Sequence, residues 1–164
     1  MKKLKDAESS LSIFLDRIAL LGSHLGPVLF QLPPRWHFDP DRLERFLAAL
    51  GKEHCYAFEL RDHSSINDRA LDLLARYKAA FCIYELDGFL SPREVTADFV
   101  YLRLHGPNGP YQGDYDRQVL IGWAEACVGW LASGLDVYCY FDNDASGHAV
   151  TNALALRGLI DGQT

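Results

Sequence analysis

The sequence predicts an α/β fold built on a parallel sheet. Three observations carry this. Short runs of β-forming residues alternate with amphipathic helical segments five times along the chain. The β-forming runs are nearly continuous in apolar residues, as strands covered on both faces are. No long linker, low-complexity tract or shift in composition interrupts the alternation, so residues 1–164 read as a single domain.

The elements follow in order. Leu11, Phe14, Leu15, Ile18 and Leu21 recur near helical spacing over residues 7–21, and Gly22 stands where a C-cap glycine belongs. Residues 26–34, GPVLFQLPP, hold a strand that should end near Leu32, because the prolines cannot continue a ladder. Asp39 or Asp41 can cap a helix over 42–50 that closes at Gly51, and 56–61 forms the next strand. Ser64 or Ser65 is placed to cap a helix over 67–77, followed by a strand over 79–86. The pattern then repeats, with strand 99–105, helix 115–133, strand 137–142 and helix 146–159.

Alternation along a strand puts Tyr101, Arg103 and His105 on one face and Val100, Leu102 and Leu104 on the other. The same parity groups Tyr138, Tyr140, Asp142 and Asp144 against Val137, Cys139, Phe141 and Asn143. No G-x-G-x-x-G turn favours a dinucleotide site. An open sheet and a barrel both satisfy the pattern, and polar groups directed inward near strand ends tilt the reading towards the barrel.

Composition bounds the function. At 49% hydrophobic and 23% charged residues, the chain has the makeup of a globular protein, and its formal net charge of -6 disfavours a general electrostatic grip on nucleic acid. Acidic residues interrupt the first apolar stretch, so neither a signal peptide nor a membrane span is expected. Cys55, Cys82, Cys127 and Cys139 show no C-x-x-C spacing and read as reduced residues in a cytoplasmic protein.

Several long segments carry a family resemblance: KLKDAESSL, GPVLFQLPP, AFELR, FCIYEL, TADFVYLRLHG, YQGDY followed by WA, DVYCYFDND, and NAL in the closing helix. With these the chain resembles the DUF72 family, an uncharacterised group with a TIM-barrel-like fold, over nearly its whole length. The resemblance implies a partial TIM-barrel-like (β/α) fold of about five parallel strands, lacking the first three strand units. It also implies an internal start or a split or decayed gene, poor stability alone, and self-association through exposed sheet edges. Two departures stand out. Arg61 is followed by Asp62, His63, Ser64 and Ser65 where the family continues with proline, serine and tryptophan, and Glu85 stands where the family tends to have aspartate.

The candidate chemistry lies at the strand ends. Glu59 and Arg61 share a face, either as a carboxylate base beside an anion clamp or as a structural ion pair. Arg103 and His105 form a second pair suited to anion binding and proton transfer, or to a satisfied core network. Asp142, Asn143 and Asp144 can serve as base, as metal ligands with His105, Glu59 and Glu85, or as helix caps. The absence of H-x-x-x-H and paired cysteines keeps the metal case weak, and no cofactor is named by any motif. The loop 105–115, with Tyr111 and Tyr115, suits a phosphorylated or sugar-like ligand or is a plain connection. Gln31 can hydrogen-bond a substrate hydroxyl or a neighbouring strand end.

These readings assign Glu59, His105 and Asp142 to catalysis and Gln31, Arg61, Arg103, Tyr111, Tyr115 and Asn143 to substrate binding, with no metal. His24, His37, His54 and His148 are expected at the surface, and Trp123 and Trp130 in helix packing. The expected activity is a hydrolase or lyase on a small polar or phosphorylated molecule. The alternative is a noncatalytic fragment or binding module, and a nucleic-acid partner is the least favoured.

Overall fold

The computed structural model describes residues 8–162. The predicted helix start at residue 7, and the opening basic residues, lie outside them. Residues 8–162 fall into two compact units, divided between Phe81 and Cys82, which are described in turn.

In the first unit, α1 (Glu8–Ala19), β1 (Val28–Leu32), α2 (Pro40–Leu50), β2 (Tyr56–Leu60) and α3 (Asp68–Arg76) lead into the start of β3 (Ala80–Leu86). β1 and β2 are parallel, with Phe30 opposite Phe58 and Gln31 opposite Glu59, and β2 pairs in parallel with β3 at Ala80 and Phe81. Alternation therefore separates an aromatic face from a polar one. On the aromatic side Phe30 meets Phe46 of α2 at 5.1 Å and Phe58 at 5.4 Å between centroids. Leu43, Leu47, Leu50 and Leu74 bury their side chains in the same unit. Asp39 caps α2 by accepting from the Arg42 N–H at 3.0 Å, with Pro40 at the first helical position. The predicted caps Ser64 and Ser65 instead lie in a 3-10 turn, and Asn67 caps α3, its Oδ1 accepting from the Ala70 N–H at 3.1 Å.

In the second unit, β3 continues into a short antiparallel partner, β4 (Phe89–Leu90), and pairs in parallel with β5 (Phe99–Leu104). The β3–β4 turn places Asp87 at φ 52° and Gly88 at φ 76°, the left-handed pair that a two-residue hairpin requires. α4 (Arg117–Ala132), β6 (Asp136–Phe141) and α5 (His148–Asp161) complete the unit. β5 is buried along most of its length, whereas β6, which among the described residues pairs only with β5, is half-exposed. The strand order β1-β2-β3-β5-β6 is parallel throughout, with β4 the antiparallel addition, which is an α/β sheet of partial TIM-barrel-like character.

α4 buries Leu120, Trp123, Ala124 and Cys127, a helically spaced set. The Arg93 guanidinium covers the Trp123 ring at 4.2 Å, a cation–π contact, and Trp130 is half-buried. No helix among the described residues is long and apolar enough to cross a membrane.

Because Asn67 satisfies an otherwise orphaned helix donor, Asn67→Ala should lower unfolding stability by about 1 kcal/mol in urea titration, and Asn67→Asp should largely preserve it. Equal stability of wild type and Asn67→Ala would show that the cap is idle.

Candidate functional site

In the second unit the parallel register puts the ends of β3, β5 and β6 side by side. Leu104 pairs with Glu85 on one side and with Phe141 on the other, so the residues that follow leave the sheet together. The Asp142 N–H extends the ladder by donating to the Leu104 carbonyl at 2.8 Å. Asp142 Oδ2 then lies 2.6 Å from Arg103 Nη2 and 3.3 Å from His105 Nε2. The structure thus brings together Arg103, His105 and Asp142, three of the residues picked from sequence parity.

Their exposure differs. The Asp142 side chain is 26% exposed and that of Arg103 16%, whereas His105 is fully buried. Both the His105 N–H and its ring Nδ1 approach the Glu85 backbone carbonyl, at 3.0 and 2.9 Å. A carbonyl only accepts, so Nδ1 carries a proton. The Nε2 edge faces Asp142 Oδ2, a contact that is attractive when Nε2 carries a proton as well.

The loop that follows is fastened at several points. The Tyr111 N–H donates to the His105 carbonyl at 2.6 Å, and the Tyr111 ring stands edge-on to the His105 ring at 5.6 Å. Tyr111 itself is 45% exposed and takes a left-handed φ of 64°. Gly106 sits at φ 115°, and a Cβ there would lie 2.2 Å from the Gln112 carbonyl oxygen, so the close approach requires glycine. The Gly106 N–H donates to the Tyr115 hydroxyl at 2.9 Å, and that hydroxyl in turn donates to the Glu85 carboxylate. Burial raises the Glu85 carboxyl above its ordinary range, opposed by the Tyr115 hydrogen bond, and burial likewise raises the Tyr115 phenol. Glu85 shares register with Leu104 rather than Arg103, which places it on the opposite face from the Arg103–Asp142 pair and not among the inward ligands considered from sequence.

Tyr115 and Asn143 are both buried. Asn143 Nδ2 donates to the Gly113 carbonyl and to Asn152 Oδ1, each at 2.8 Å, while Asn152 Nδ2 donates to Asp114 Oδ1 at 2.7 Å. The Tyr115 N–H also donates to Asn152 Oδ1, at 3.2 Å. Asn152 is the hub that sequence reasoning missed. Its signal was its place on the buried stripe of α5, between Ala149 and Leu156. Asp144 is exposed and heads a 3-10 turn without a side-chain cap bond, so capping does not explain it.

In the first unit, Gln31 and Glu59 are register partners, and the Arg61 Nε donates to Glu59 Oε1. Glu59 is fully buried and the Arg61 side chain nearly so. His37 reaches Asp62 at 3.9 Å, and hydrogen bonds from Ser64 hold the Asp62 carboxyl below its ordinary range. Sequence reasoning also passed over Trp36, which follows β1 with its ring buried and its carbonyl accepting from Ser65 Oγ at 2.9 Å. No set of three His, Cys, Asp or Glu side chains among the described residues is placed to hold a metal ion. Burial pushes the Cys127 thiol up to about 11 and raises Cys139 too, which makes both poor nucleophiles.

Two expectations follow. The folded protein holds a proton on Glu85 at a pH where the unfolded chain releases it, so wild-type stability falls as pH rises above about 4.5 through this group's window. Glu85→Gln should match wild type near pH 4 and gain on it as pH rises to 7 in thermal melts, and a difference flat with pH would contradict this. Asn152→Ala removes the side-chain acceptor of the buried Tyr115 N–H and one of the two acceptors of Asn143 Nδ2, and should cost about 1–3 kcal/mol, with faster amide exchange at Tyr115. Unchanged exchange there would show that the loop is held by other contacts.

The family model described as a protein of unknown function, DUF72, matches residues 1–164. A crystal structure of a DUF72 family protein from Thermotoga maritima superposes with a TM-score of 0.86 at 23% identity, covering 98% of this chain and 68% of that one. Two crystal structures of a DUF72 family protein from Enterococcus faecalis superpose at 0.84 and 0.79, with 19% and 20% identity. They cover 96% and 92% of this chain and 67% and 68% of theirs. At these identities the likeness concerns the fold. No curated protein matches the chain. With the family model matched from end to end, the chain belongs to the DUF72 family.

Proposed function

We propose that this protein is an enzyme of hydrolase or lyase type acting on a small polar or phosphorylated substrate at the C-terminal ends of β5 and β6. The observation that carries this reading is Asp142, a partly exposed carboxylate between the side chains of Arg103 and His105. Parallel α/β folds collect ligands at that end of their strands. Arg103 takes the anionic part of the substrate, and Asp142 acts as general base. His105, having no exposed surface, is a positioning residue that reaches substrate only through Asp142. Tyr111 supplies an exposed ring and hydroxyl beside them, while Tyr115 and Asn143 hold the loop. Gln31, Glu59 and Arg61 are a second group of the same chemistry in the first unit. Four free cysteines support a reducing, cytoplasmic setting.

The same geometry favours a second reading, a noncatalytic binding module, because the Arg103 guanidinium already compensates the Asp142 charge. Phosphate release from p-nitrophenyl phosphate and glucose 6-phosphate separates the two. As an enzyme, the wild type turns over at least one of them, and Asp142→Asn loses about 100-fold or more with an unchanged circular dichroism spectrum. Saturable phosphate binding without turnover, or full turnover by Asp142→Asn, would overturn the assignment of Asp142 as base.

A further inference from the structure

The face of β5 and β6 that carries Arg103 and Asp142 continues back along the strands as aromatic pairs. Phe99 meets Tyr138 edge-on at 5.9 Å, and Tyr101 stacks on Tyr140 at 5.0 Å and 24°. Tyr101 is buried, and its hydroxyl is hydrogen-bonded to that of Tyr140. Stacking and the hydroxyl contact together hold the Tyr140 ring from one side, yet 42% of the residue stays exposed. That exposure follows from its place on β6, which among the described residues pairs only with β5. An aromatic ring is thus backed on one side and open on the other.

Asp142 follows two residues later on the same face, about 7 Å along the strand direction. Its Oδ2, which faces Arg103 and His105, is buried, whereas the side chain as a whole is 26% exposed. The accessible edge of the carboxylate is therefore the Oδ1 edge. Because the Arg103 guanidinium already offsets the charge, a ligand meets an acceptor there without meeting a net negative charge. An electron-rich ring face attracts C–H groups, and a carboxylate oxygen accepts from O–H groups. A pyranose presents both at once, a face of axial C–H bonds and a rim of hydroxyls. Ammonium groups also suit an aromatic face, but they gain little beside a carboxylate that is already compensated. We propose that Tyr140, backed by Tyr101, is the stacking platform for an uncharged sugar ring, one hydroxyl of which donates to Asp142 Oδ1. Arg103 takes no part beyond its contact with Asp142. The inference rests on the reading of these strand ends as the substrate site and names the substrate class there.

Nuclear magnetic resonance titration of the full chain with the methyl β-pyranosides of glucose, galactose and xylose tests it, with sorbitol, adenosine and choline as comparisons. The platform predicts saturable binding of at least one pyranoside, about tenfold tighter than the ringless sorbitol. Its axial C–H protons should shift upfield under the Tyr140 ring. Tyr140→Ala should weaken that pyranoside about tenfold with an unchanged circular dichroism spectrum, while Tyr140→Trp retains it. One monodeoxy analogue should also bind about tenfold weaker to wild type, a loss that vanishes in Asp142→Ala. The platform is overturned if no pyranoside binds, if sorbitol binds as well, if Tyr140→Ala binds like wild type, or if adenosine or choline outranks every pyranoside. Monodeoxy losses that persist in Asp142→Ala overturn the Asp142 contact and the proposal with it. Ring-dependent sugar binding without turnover of either phosphate ester upholds the platform and removes only the enzyme reading. Turnover without any ring dependence upholds the enzyme and overturns the platform.

Discussion

One carboxylate shared by an arginine and a buried histidine ties the ends of three adjacent strands together. His105, immediately after β5, bonds through Nδ1 to the backbone of β3, and its Nε2 stands 3.3 Å from Asp142 at the end of β6. Arg103 meets the same oxygen from within β5. A cation placed in a low-dielectric interior is tolerated only with a partner, so a doubly protonated His105 depends on Asp142 where it is buried. The group of three carries one net positive charge when the imidazole holds both protons. That local sign is opposite to the -6 of the whole chain.

The surrounding structure serves to keep this arrangement still. The loop after His105 folds back so that Tyr111 lies against the imidazole, and glycine at position 106 allows the return. Behind the sheet, Glu85, Tyr115 and the Gly106 N–H form a chain of hydrogen bonds, and Asn143 and Asn152 fasten the loop's far end to α5. Polar residues on the two faces thus divide their work: Tyr140, Arg103 and Asp142 meet the open side, while Glu85, Tyr115 and Asn152 support the loop.

Much of the architecture was legible because buried parallel strands are apolar runs and their helices have clear periodicity and caps. The grouping of Arg103, His105 and Asp142 followed from strand parity alone, since alternation continued past the last residue of each ladder. Parity failed to separate Glu85 from them, because its face depends on register with β5, a tertiary property. β4 was missed although Asp87–Gly88 is a hairpin signal, since its strand is too short for alternation to show. Trp36 and Asn152 were hidden for a related reason: each lies in a loop or helix where one residue's burial is set by contacts distant in sequence. Asp144 illustrates the converse, a residue type common at caps that makes no cap bond where it stands.

The charge state of His105 is the most direct test of this account. Nitrogen-15 chemical shifts of its ring at pH 7, in wild type and in Asp142→Asn, distinguish the forms. The account predicts an imidazolium with both nitrogens protonated in wild type, reverting to a neutral ring protonated at Nδ1 when the carboxylate is removed. A neutral ring protonated only at Nε2 in wild type would break the bond to the Glu85 carbonyl and contradict the shared-carboxylate arrangement on which the site depends.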